Sequence, residues 1–266
     1  LNNSTNNLDN VLNIDRALWM HAFNYTLINF DSYVGYGQNY YLYKSLSNQF
    51  QPILWDLNMS FGGFRLTDAT QAYFNGFDIA QAQSMDPLGF LTNSFLSPRP
   101  LITSLLTDSR KQRMYLAHMR TIVEEHFSNQ DYLSRAQYLQ TLISSDVQND
   151  PNKFYTYNDF LDNLNNQVTI PSSICPGLSQ LMDARSTYLS NYWSGFIQPN
   201  ISNIQTMPNS NQFFGGDLTI TAQIQDASYA MLAYRFGENM PFENIEMYDD
   251  GNHNDGAAND GVFGVI

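Results

Sequence analysis

The segment from Asn29 to Phe64 limits the fold most, because it encodes two short strands and the loops on either side of them. Aromatic and apolar residues predict one strand over 40–43 and a second over 52–55, with a polar turn at 45–48 between them. Strands joined by so short a turn pair in antiparallel fashion as a hairpin. A helix end and a Gly-rich loop precede this hairpin, and a Gly-containing loop follows it. We therefore expect the chain to fold around a helix, a loop and a hairpin.

Three side chains that can bind a hard cation or accept a proton lie at the ends of these elements: Asp31, Asn39 and Asp56. The hairpin would bring Asn39 and Asp56 side by side at one of its ends. Oxygen ligands suit Mg²⁺, Mn²⁺ or Ca²⁺ rather than zinc. In protein kinases, a loop Asp accepts the proton of the substrate hydroxyl, and an Asn and a second Asp hold the metal ions that bridge the nucleotide phosphates. The order along this chain is the same.

A family resemblance is carried by Asp31 and by the runs 39–43, 55–58 and 60–64. With these residues the chain resembles the CotH kinase family, the spore-coat-protein-H-like atypical kinases. The likeness continues in 15–20 upstream and in 86–88, 115–120 and 150–153 downstream. It covers roughly three quarters of the chain, which homology of a whole domain explains better than an accidental motif does.

The resemblance implies a role for each of the three side chains. Asp31 would be the catalytic Asp, while Asn39 and Asp56 would hold Mg²⁺ or Mn²⁺ together with ATP. It also implies a mainly helical kinase C-lobe over residues 1–197. The sequence departs from the pattern in two ways: the spacing from Asp31 to Asn39 exceeds that of the ordinary kinase catalytic loop, and Asn58 stands where many relatives have a second Asp.

Each assignment has a simpler structural alternative. Asp31 could cap the turn that follows it, since Asp favours such positions. Asn39 could be a turn residue with a left-handed backbone. Asp56 follows an apolar run beside Trp55, so a buried carboxylate at this position would need a partner. A metal ion would be such a partner.

Composition limits the classes of partner. The formal net charge of −13 argues against nucleic acid, which would require a basic face. The charge would suit a basic protein substrate, or it would simply keep the protein soluble. A Ser- or Thr-rich substrate would fit the kinase reaction. With Cys175 as the single cysteine, no intrachain disulfide can form. No stretch is long and apolar enough to span a membrane.

The first ten residues are rich in Asn and lack the basic and apolar regions of a signal peptide. A kinase also needs a lobe that covers the nucleotide, with a Gly-rich loop and a Lys, before the catalytic loop. We therefore expect the numbering to begin partway through a longer protein. The resemblance implies a bacterial protein that is exported, extracellular or at the cell surface.

Apolar periodicity predicts a helix over 13–30 and a helical subdomain over 98–193. Between them, the aromatic-rich stretch 65–93 could shape an acceptor site or a sugar-binding surface, or form a loop that packs its own aromatic side chains. A basic cluster could attract a phosphorylated ligand or could form a solvated helix face balanced by acidic neighbours. Its members are Arg110, Lys111, Arg113 and Arg120.

The last part of the chain changes in pattern. Residues 198–216 have the composition of a linker, and strands are predicted over 218–224, 230–236 and 242–248. This pattern predicts a β-sandwich of immunoglobulin or fibronectin type over 217–266, cut short at its end. The Asp- and Gly-rich stretch 249–260 does not fit an EF-hand, so either a Ca²⁺ site or plain Asp-Gly turns would explain it.

The fold class expected is therefore α+β, a kinase-like helical lobe followed by a β module. Two functions are consistent with it. The first is an atypical protein kinase that transfers the γ-phosphoryl group of ATP to Ser or Thr of a protein. The alternative is a non-catalytic pseudokinase, a surface or matrix protein that binds polysaccharide or a protein partner.

Overall fold

The computed structural model describes residues 8–46, 48–69, 72–92, 99–170, 173–208, 215–238, 240 and 242–266. The chain divides into two compact units, Leu1–Ser194 and Gly195–Ile266. In its described part the first unit combines helices with two small hairpins, and the second consists of strands and loops. The protein is therefore of mixed α+β class, as predicted. Residue 47 of the predicted turn and residues 209–214 of the predicted linker lie outside the described residues.

Helix α1, Ile14–Thr26, is the centre of the first unit. Asn13 caps it, since its Oδ1 accepts a hydrogen bond of 2.9 Å from the backbone N–H of Arg16. The helix ends four residues before the predicted boundary, because Ile28 adopts a left-handed backbone with φ of 51°. That bend lets the Asn29 N–H donate to the Asn24 carbonyl at 2.8 Å. The chain thus leaves α1 directly into the loop that carries Asp31.

The first unit contains further helices besides α1. They are α2 (Tyr33–Tyr36), α3 (Ile79–Gln83), α4 (Gly89–Thr92), α5 (Pro100–Thr103), α6 (Ser109–Ile122), α7 (Asp131–Asn149), α8 (Tyr157–Asp162) and α9 (Leu178–Tyr192). Helices α2, α5 and α6 contact α1, while α3 packs on α9 and α7 packs on α8. Helix α6 packs along α1 and continues into one π-helical turn, Val123–Phe127. At their contact the His118 ring stacks on Trp19 at 4.1 Å, and its Nε2 lies 2.9 Å from Asp15 Oδ1. None of the described helices is both long and apolar enough to cross a bilayer.

The predicted hairpin is present as β1, Tyr40–Lys44, paired with β2, Phe50–Leu54. Strand β2 begins two residues before the predicted start, because Phe50 also pairs with the segment before α1. Its N–H donates to Val11 O at 2.7 Å, and its carbonyl accepts from Asn13 N at 3.0 Å. A second hairpin joins β3, Val168–Ile170, to β4, Ser173–Cys175.

Helix α9 is fastened to the core by Arg185, whose side chain is fully buried. Its guanidinium donates to the carbonyls of Tyr25 at 3.1 Å and Thr26 at 3.2 Å, at the end of α1. It also donates to Ala82 at 3.3 Å and Met85 at 2.8 Å, in and after α3. No carboxylate lies within ion-pair distance of it in the described part of the chain. Burial lowers the pKa of this guanidinium to about 10, so it remains charged at neutral pH.

The stretch 65–93 packs its own aromatic side chains where it is described. Phe77 is buried in edge-to-face contact with Phe30 at 5.7 Å and with Tyr73 at 5.9 Å. Helix α7 lies within the helical subdomain predicted over 98–193, but none of its residues is buried. Its apolar stripe of Tyr138, Leu139, Leu142 and Ile143 faces solvent.

The second unit contains two small antiparallel sheets. One has the order β5-β6-β9, formed by Asn200–Met207, Thr219–Gln225 and Val262–Val265. The other pairs β7, Ala230–Tyr234, with β8, Glu243–Met247. A bridge between Tyr248 and Gly264 connects the segments after β8 and within β9. The hydrophobic core of the second unit is small in its described part. It consists of Ala222, Ile224, Ala230, Met247, Phe263 and Val265. The closed immunoglobulin-like sandwich stays a prediction.

The prediction of a linker over 198–216 is wrong for part of this segment, because β5 occupies residues 200–207. Every residue of β5 is exposed, so the strand has no alternating apolar face. Its order comes from backbone pairing with β6, with a bulge between Ser202 and Gln205. The polar composition of this segment therefore gave no indication of β5, which is stabilised by its pairing with β6.

The Asp- and Gly-rich loop of the second unit is held by its own carboxylates. Asp255 is 1% exposed. It accepts hydrogen bonds of 2.8 to 2.9 Å from the N–H groups of Asp250, Gly251 and His253. Burial alone would raise the pKa of the Asp255 carboxyl, but these bonds outweigh it and hold the pKa below its usual value. Among the described residues no three His, Cys, Asp or Glu side chains cluster as metal ligands. Internal hydrogen bonds thus account for this loop.

Candidate functional site

Asp31 lies on the loop between α1 and α2 and is half-buried. Its Oδ1 accepts a hydrogen bond from Gln38 Nε2, at the far end of the same loop. The residue at the N-cap of α2 is Ser32, and no side-chain capping bond is formed there. The capping alternative for Asp31 is therefore not supported, and its carboxylate is held across the loop.

Asn39 closes this loop just before β1. Its Nδ2 donates to the Asp31 carbonyl at 2.8 Å. The other polar atom of this side chain, Oδ1, is the one that could bind a cation. No described residue donates a hydrogen bond to that oxygen. The backbone of Asn39 is left-handed with φ of 52°, as the structural alternative predicted. A left-handed backbone and a ligand role are compatible, because Asn tolerates this conformation better than most residues.

Asp56 follows β2 and is exposed, so the argument that a buried carboxylate needs a partner does not apply to it. Its backbone is also left-handed, with φ of 56° and ψ of 62°. No hydrogen bond or ion pair from the described residues reaches its carboxylate. Both of its oxygens are thus available to a cation.

The backbone brings the three segments to one edge of the unit. Tyr40 pairs with Leu54, so Asn39 and Asp56 lie just beyond the last pair at the same end of the hairpin. The loop after Asp56 returns to the end of α1, where Phe61 N–H donates to Leu27 O at 2.7 Å. Asp31 follows that same helix end. The hairpin pairing that the sequence predicted is present, and a role for the three side chains stays a prediction.

Left-handed backbones occur at both Asn39 and Asp56. Asn and Asp adopt this conformation more readily than other non-glycine residues, and Asn203, Asp226 and Asn254 of the second unit share it. The left-handed backbones are therefore compatible with a ligand role and do not by themselves indicate one.

The comparison with protein families assigns this part of the chain to a family. The family model described as CotH kinase protein matches residues 1–189, which include all three side chains. The chain belongs to the CotH kinase family. No curated protein matches the chain, and no solved structure does. The match ends before the second unit, so the family assignment concerns the first unit alone.

The residues of the candidate site have the type of ligand atom that a magnesium or manganese ion prefers. Mg²⁺ in nucleotide enzymes is usually held by one or two carboxylates together with substrate phosphates and water. The exposed carboxylate of Asp56 and the amide oxygen of Asn39 are such a sparse set of hard ligands. A site of this kind needs no cluster of three acidic or imidazole side chains, and the described residues form none.

An exposed aromatic pair beside Asp56 was not assigned a role from the sequence. Tyr41 and Trp55 are 55% and 53% exposed, and their rings meet edge to face with centroids 5.1 Å apart. Tyr41 pairs with Ile53 in the hairpin, and Trp55 follows the last residue of β2, two positions after Ile53. The alternation along the two predicted strands could have revealed this aromatic face.

A buried histidine supports the Asp31 loop from behind. His21 of α1 is fully buried and donates from Nε2 to the Leu101 carbonyl at 3.0 Å, as a structural residue would. The N–H of Leu101 donates to the Tyr33 hydroxyl at 2.8 Å, and Tyr33 begins α2. The imidazole therefore fixes the first turn of α5 against the helix between Asp31 and Asn39.

This histidine predicts acid sensitivity of the CotH kinase unit. Burial lowers the pKa of His21 from 6.5 to about 4, against a smaller opposite effect of its bond to Leu101. The unfolded chain binds the proton below pH 6.5 and the folded chain does not, so stability is full above 6.5 and falls towards pH 4. We expect His21 to contribute about 2 kcal/mol of destabilisation at pH 5 relative to pH 7.

Urea denaturation of the chain and of His21→Gln at both pH values checks this expectation. Gln keeps an N–H donor for Leu101 but does not titrate. The variant should lose less unfolding free energy between pH 7 and 5 than the native chain. An equal loss in both proteins would contradict the role of His21.

Proposed function

We propose that the first unit is the catalytic lobe of an atypical protein kinase that transfers the γ-phosphoryl group of ATP to a Ser or Thr hydroxyl of a protein. The observation that carries this proposal is the convergence of Asp31, Asn39 and Asp56 at one end of the β1–β2 hairpin. Their order along the chain matches that of the catalytic base and the two metal ligands of kinases. Membership of the CotH kinase family supports the same reaction.

Each residue has a defined part in the transfer. Asp31 orients the acceptor hydroxyl and takes its proton as the hydroxyl oxygen bonds to the γ-phosphorus. The bond between that phosphorus and the bridging oxygen breaks, and ADP leaves with the electron pair. Asn39 and Asp56 would hold Mg²⁺ or Mn²⁺, which supplies positive charge to the phosphate oxygens.

The Tyr41–Trp55 pair supports a nucleotide as the donor. Both rings are exposed, and Trp55 immediately precedes Asp56. Aromatic side chains that stack on a nucleobase contribute roughly 1–3 kcal/mol per base. A base on this aromatic face would have its phosphates near the metal ligands.

The acceptor is proposed to be a basic protein. The chain has a formal net charge of −13, which would attract a cationic substrate. The basic residues of α6 are partly neutralised, since Arg120 pairs with Glu124 at 2.6 Å and Lys111 lies 3.5 Å from Asp108. They therefore favour the solvated-face interpretation over a phosphate site. The spore-coat association of the family supports a surface or extracellular location.

The alternative function is a non-catalytic pseudokinase that binds a protein partner or polysaccharide at a surface. Two observations favour it. The apolar stripe of α7, with Tyr138 and Leu142, faces solvent. Strand β5 is exposed along its whole length. Both features suit binding, and neither requires phosphoryl transfer.

Replacing Asp56 tests the kinase proposal directly. Asp56→Asn removes the charge and keeps a residue that tolerates the left-handed backbone. We expect it to weaken Mn²⁺-dependent ATP binding by at least the roughly 10–100-fold that loss of a residue supporting a metal site costs. Calorimetry with Mn²⁺ and ATP measures this on the natural protein at its full length, and quenching of Trp55 gives a second readout.

Asp226→Asn is the matched control. Asp226 is also exposed and left-handed, with φ of 58°, but belongs to the second unit. It should bind ATP and Mn²⁺ as the native protein does. Native affinity in the Asp56 variant would refute its role as a ligand. A native protein that binds no nucleotide and transfers no phosphate would favour the pseudokinase.

A further inference from the structure

A buried ion pair lies behind the loop that carries the proposed site. Arg99, just before α5, contacts Asp68 with Nη2 at 2.5 Å from Oδ1. Their side chains are only 4% and 5% exposed. Asp68 belongs to the segment that follows Asp56. Because both side chains are almost completely buried, neither can contact a substrate or the reacting atoms.

The same guanidinium holds the backbone between Asp31 and Asn39. Arg99 Nη2 donates to the carbonyl of Gly35, in α2, at 2.9 Å. A Cβ placed on Gly37 would lie 3.5 Å from Arg99 Cζ, so the flat cation packs directly against the loop. At Gly35 a Cβ would overlap the Phe30 carbonyl, and only glycine permits this close approach.

A buried ion pair is not explained by stability alone. Removing two charges from water is costly, and well-packed apolar residues in their place are often as stable or more stable. What the pair supplies here is geometry. One end is fixed in the segment after Asp56, and the other end fixes the carbonyl of Gly35. The Asn39 bond to the Asp31 carbonyl closes the same loop.

We propose that Arg99 and Asp68 are positioning residues, which lock the Asp31–Asn39 loop in its working geometry by joining Gly35 to the segment that follows Asp56. This inference rests on the proposed function for its effect on catalysis. Its effect on the loop itself does not depend on any activity.

Single and double substitutions separate positioning from stability. Arg99→Met or Asp68→Leu alone leaves one buried charge without its partner and should destabilise the first unit. The two together remove both charges and should recover much of the denaturation midpoint lost in the single variants, less the cost of the Gly35 carbonyl that loses its donor. The double variant should nevertheless transfer phosphate about 100-fold more slowly, because displacing a catalytic loop by about 1 Å can cost that factor. Its KM for ATP should stay within about threefold of native, since the base and metal ligands remain.

Hydrogen exchange gives a readout that needs no activity. The N–H groups of Tyr36 and Gly37 donate to Ser32 and Tyr33 carbonyls at 3.0 Å each. In the double variant these amides should exchange faster, while those of α1 and α6 keep their native rates. The matched control replaces a surface ion pair, Arg120→Gln in α6 with Glu124→Gln in the π-helical turn after it, and should leave the loop unchanged.

The outcomes distinguish this inference from the proposed function. A double variant with native stability, native turnover and native loop exchange would overturn the positioning role. If the native protein transfers no phosphate, the kinase proposal fails, and loop exchange alone decides the inference. Should the double variant not fold, Arg99→Lys keeps the charge beside Asp68 and alters the contact with Gly35. Unchanged exchange at residues 36 and 37 in that variant would equally overturn it.

Discussion

Replacing Asp31 with Asn should lower phosphoryl transfer by about 10²–10⁴-fold, the range for a positioned acid–base group, while ATP remains bound. The carboxylate accepts a bond from Gln38 across the loop and does not cap α2. Asn has nearly the same shape but cannot accept the proton of the hydroxyl. The fold should therefore persist, because Asp31 is half-buried and its backbone carbonyl, which binds Asn39, is retained.

The rate is measured with labelled ATP, Mg²⁺ or Mn²⁺ and a basic, Ser-rich acceptor protein. ATP affinity is measured separately by calorimetry, so that a loss of binding is not mistaken for a loss of chemistry. Asp226→Asn serves again as the control for an exposed carboxylate. Native turnover in the Asp31 variant would show that the base lies elsewhere.

The largest effect on stability should come from Arg185→Met, which we expect to lower the unfolding free energy of the first unit by about 3–5 kcal/mol. Four backbone carbonyls would each lose a donor in a buried site, and that of Tyr25 would keep only its backbone donor. Each unsatisfied buried group costs about 1–3 kcal/mol, and relief from burying the cation offsets part of the sum. The unfolding free energy of Arg185→Lys should lie between those of the native protein and Arg185→Met, since an ammonium group reaches fewer of these carbonyls.

Tryptophan fluorescence in urea measures this change in the first unit alone. The three Trp residues, Trp19, Trp55 and Trp193, all lie in that unit. Arg235→Met is the control, because Arg235 is exposed in the second unit and stacks over Phe242. It should leave the tryptophan transition in place. A native midpoint for Arg185→Met would refute the fastening role of this residue.

Local signals made the core of the fold predictable. Asn13 before a run of periodic apolar residues predicted α1. Two aromatic-rich runs on either side of a polar turn predicted β1 and β2. The predictions that failed had relied on periodicity and composition. The early end of α1 follows from the left-handed Ile28, and β5 forms in a polar stretch because β6 pairs with it. Neither is encoded in a periodic pattern.

The site was predictable in part for the same reason. The order of Asp31, Asn39 and Asp56 could be read along the chain, and hairpin pairing brought two of them together. The exposure of Asp56 could not, since it depends on how the loop after β2 returns to α1. The contacts of Arg99 with Asp68 and Gly35 join residues far apart in sequence, and no spacing rule indicates such pairs.

The contacts of Arg185 also order events during synthesis. This residue binds the carbonyls of Tyr25 and Thr26, at the helix end that leads into the Asp31 loop. Contacts across so long a stretch of chain form late, since they must wait for the intervening residues. On the ribosome, we therefore expect the edge that carries Asp31 to lack this support until α9 emerges, when almost the whole first unit has been translated.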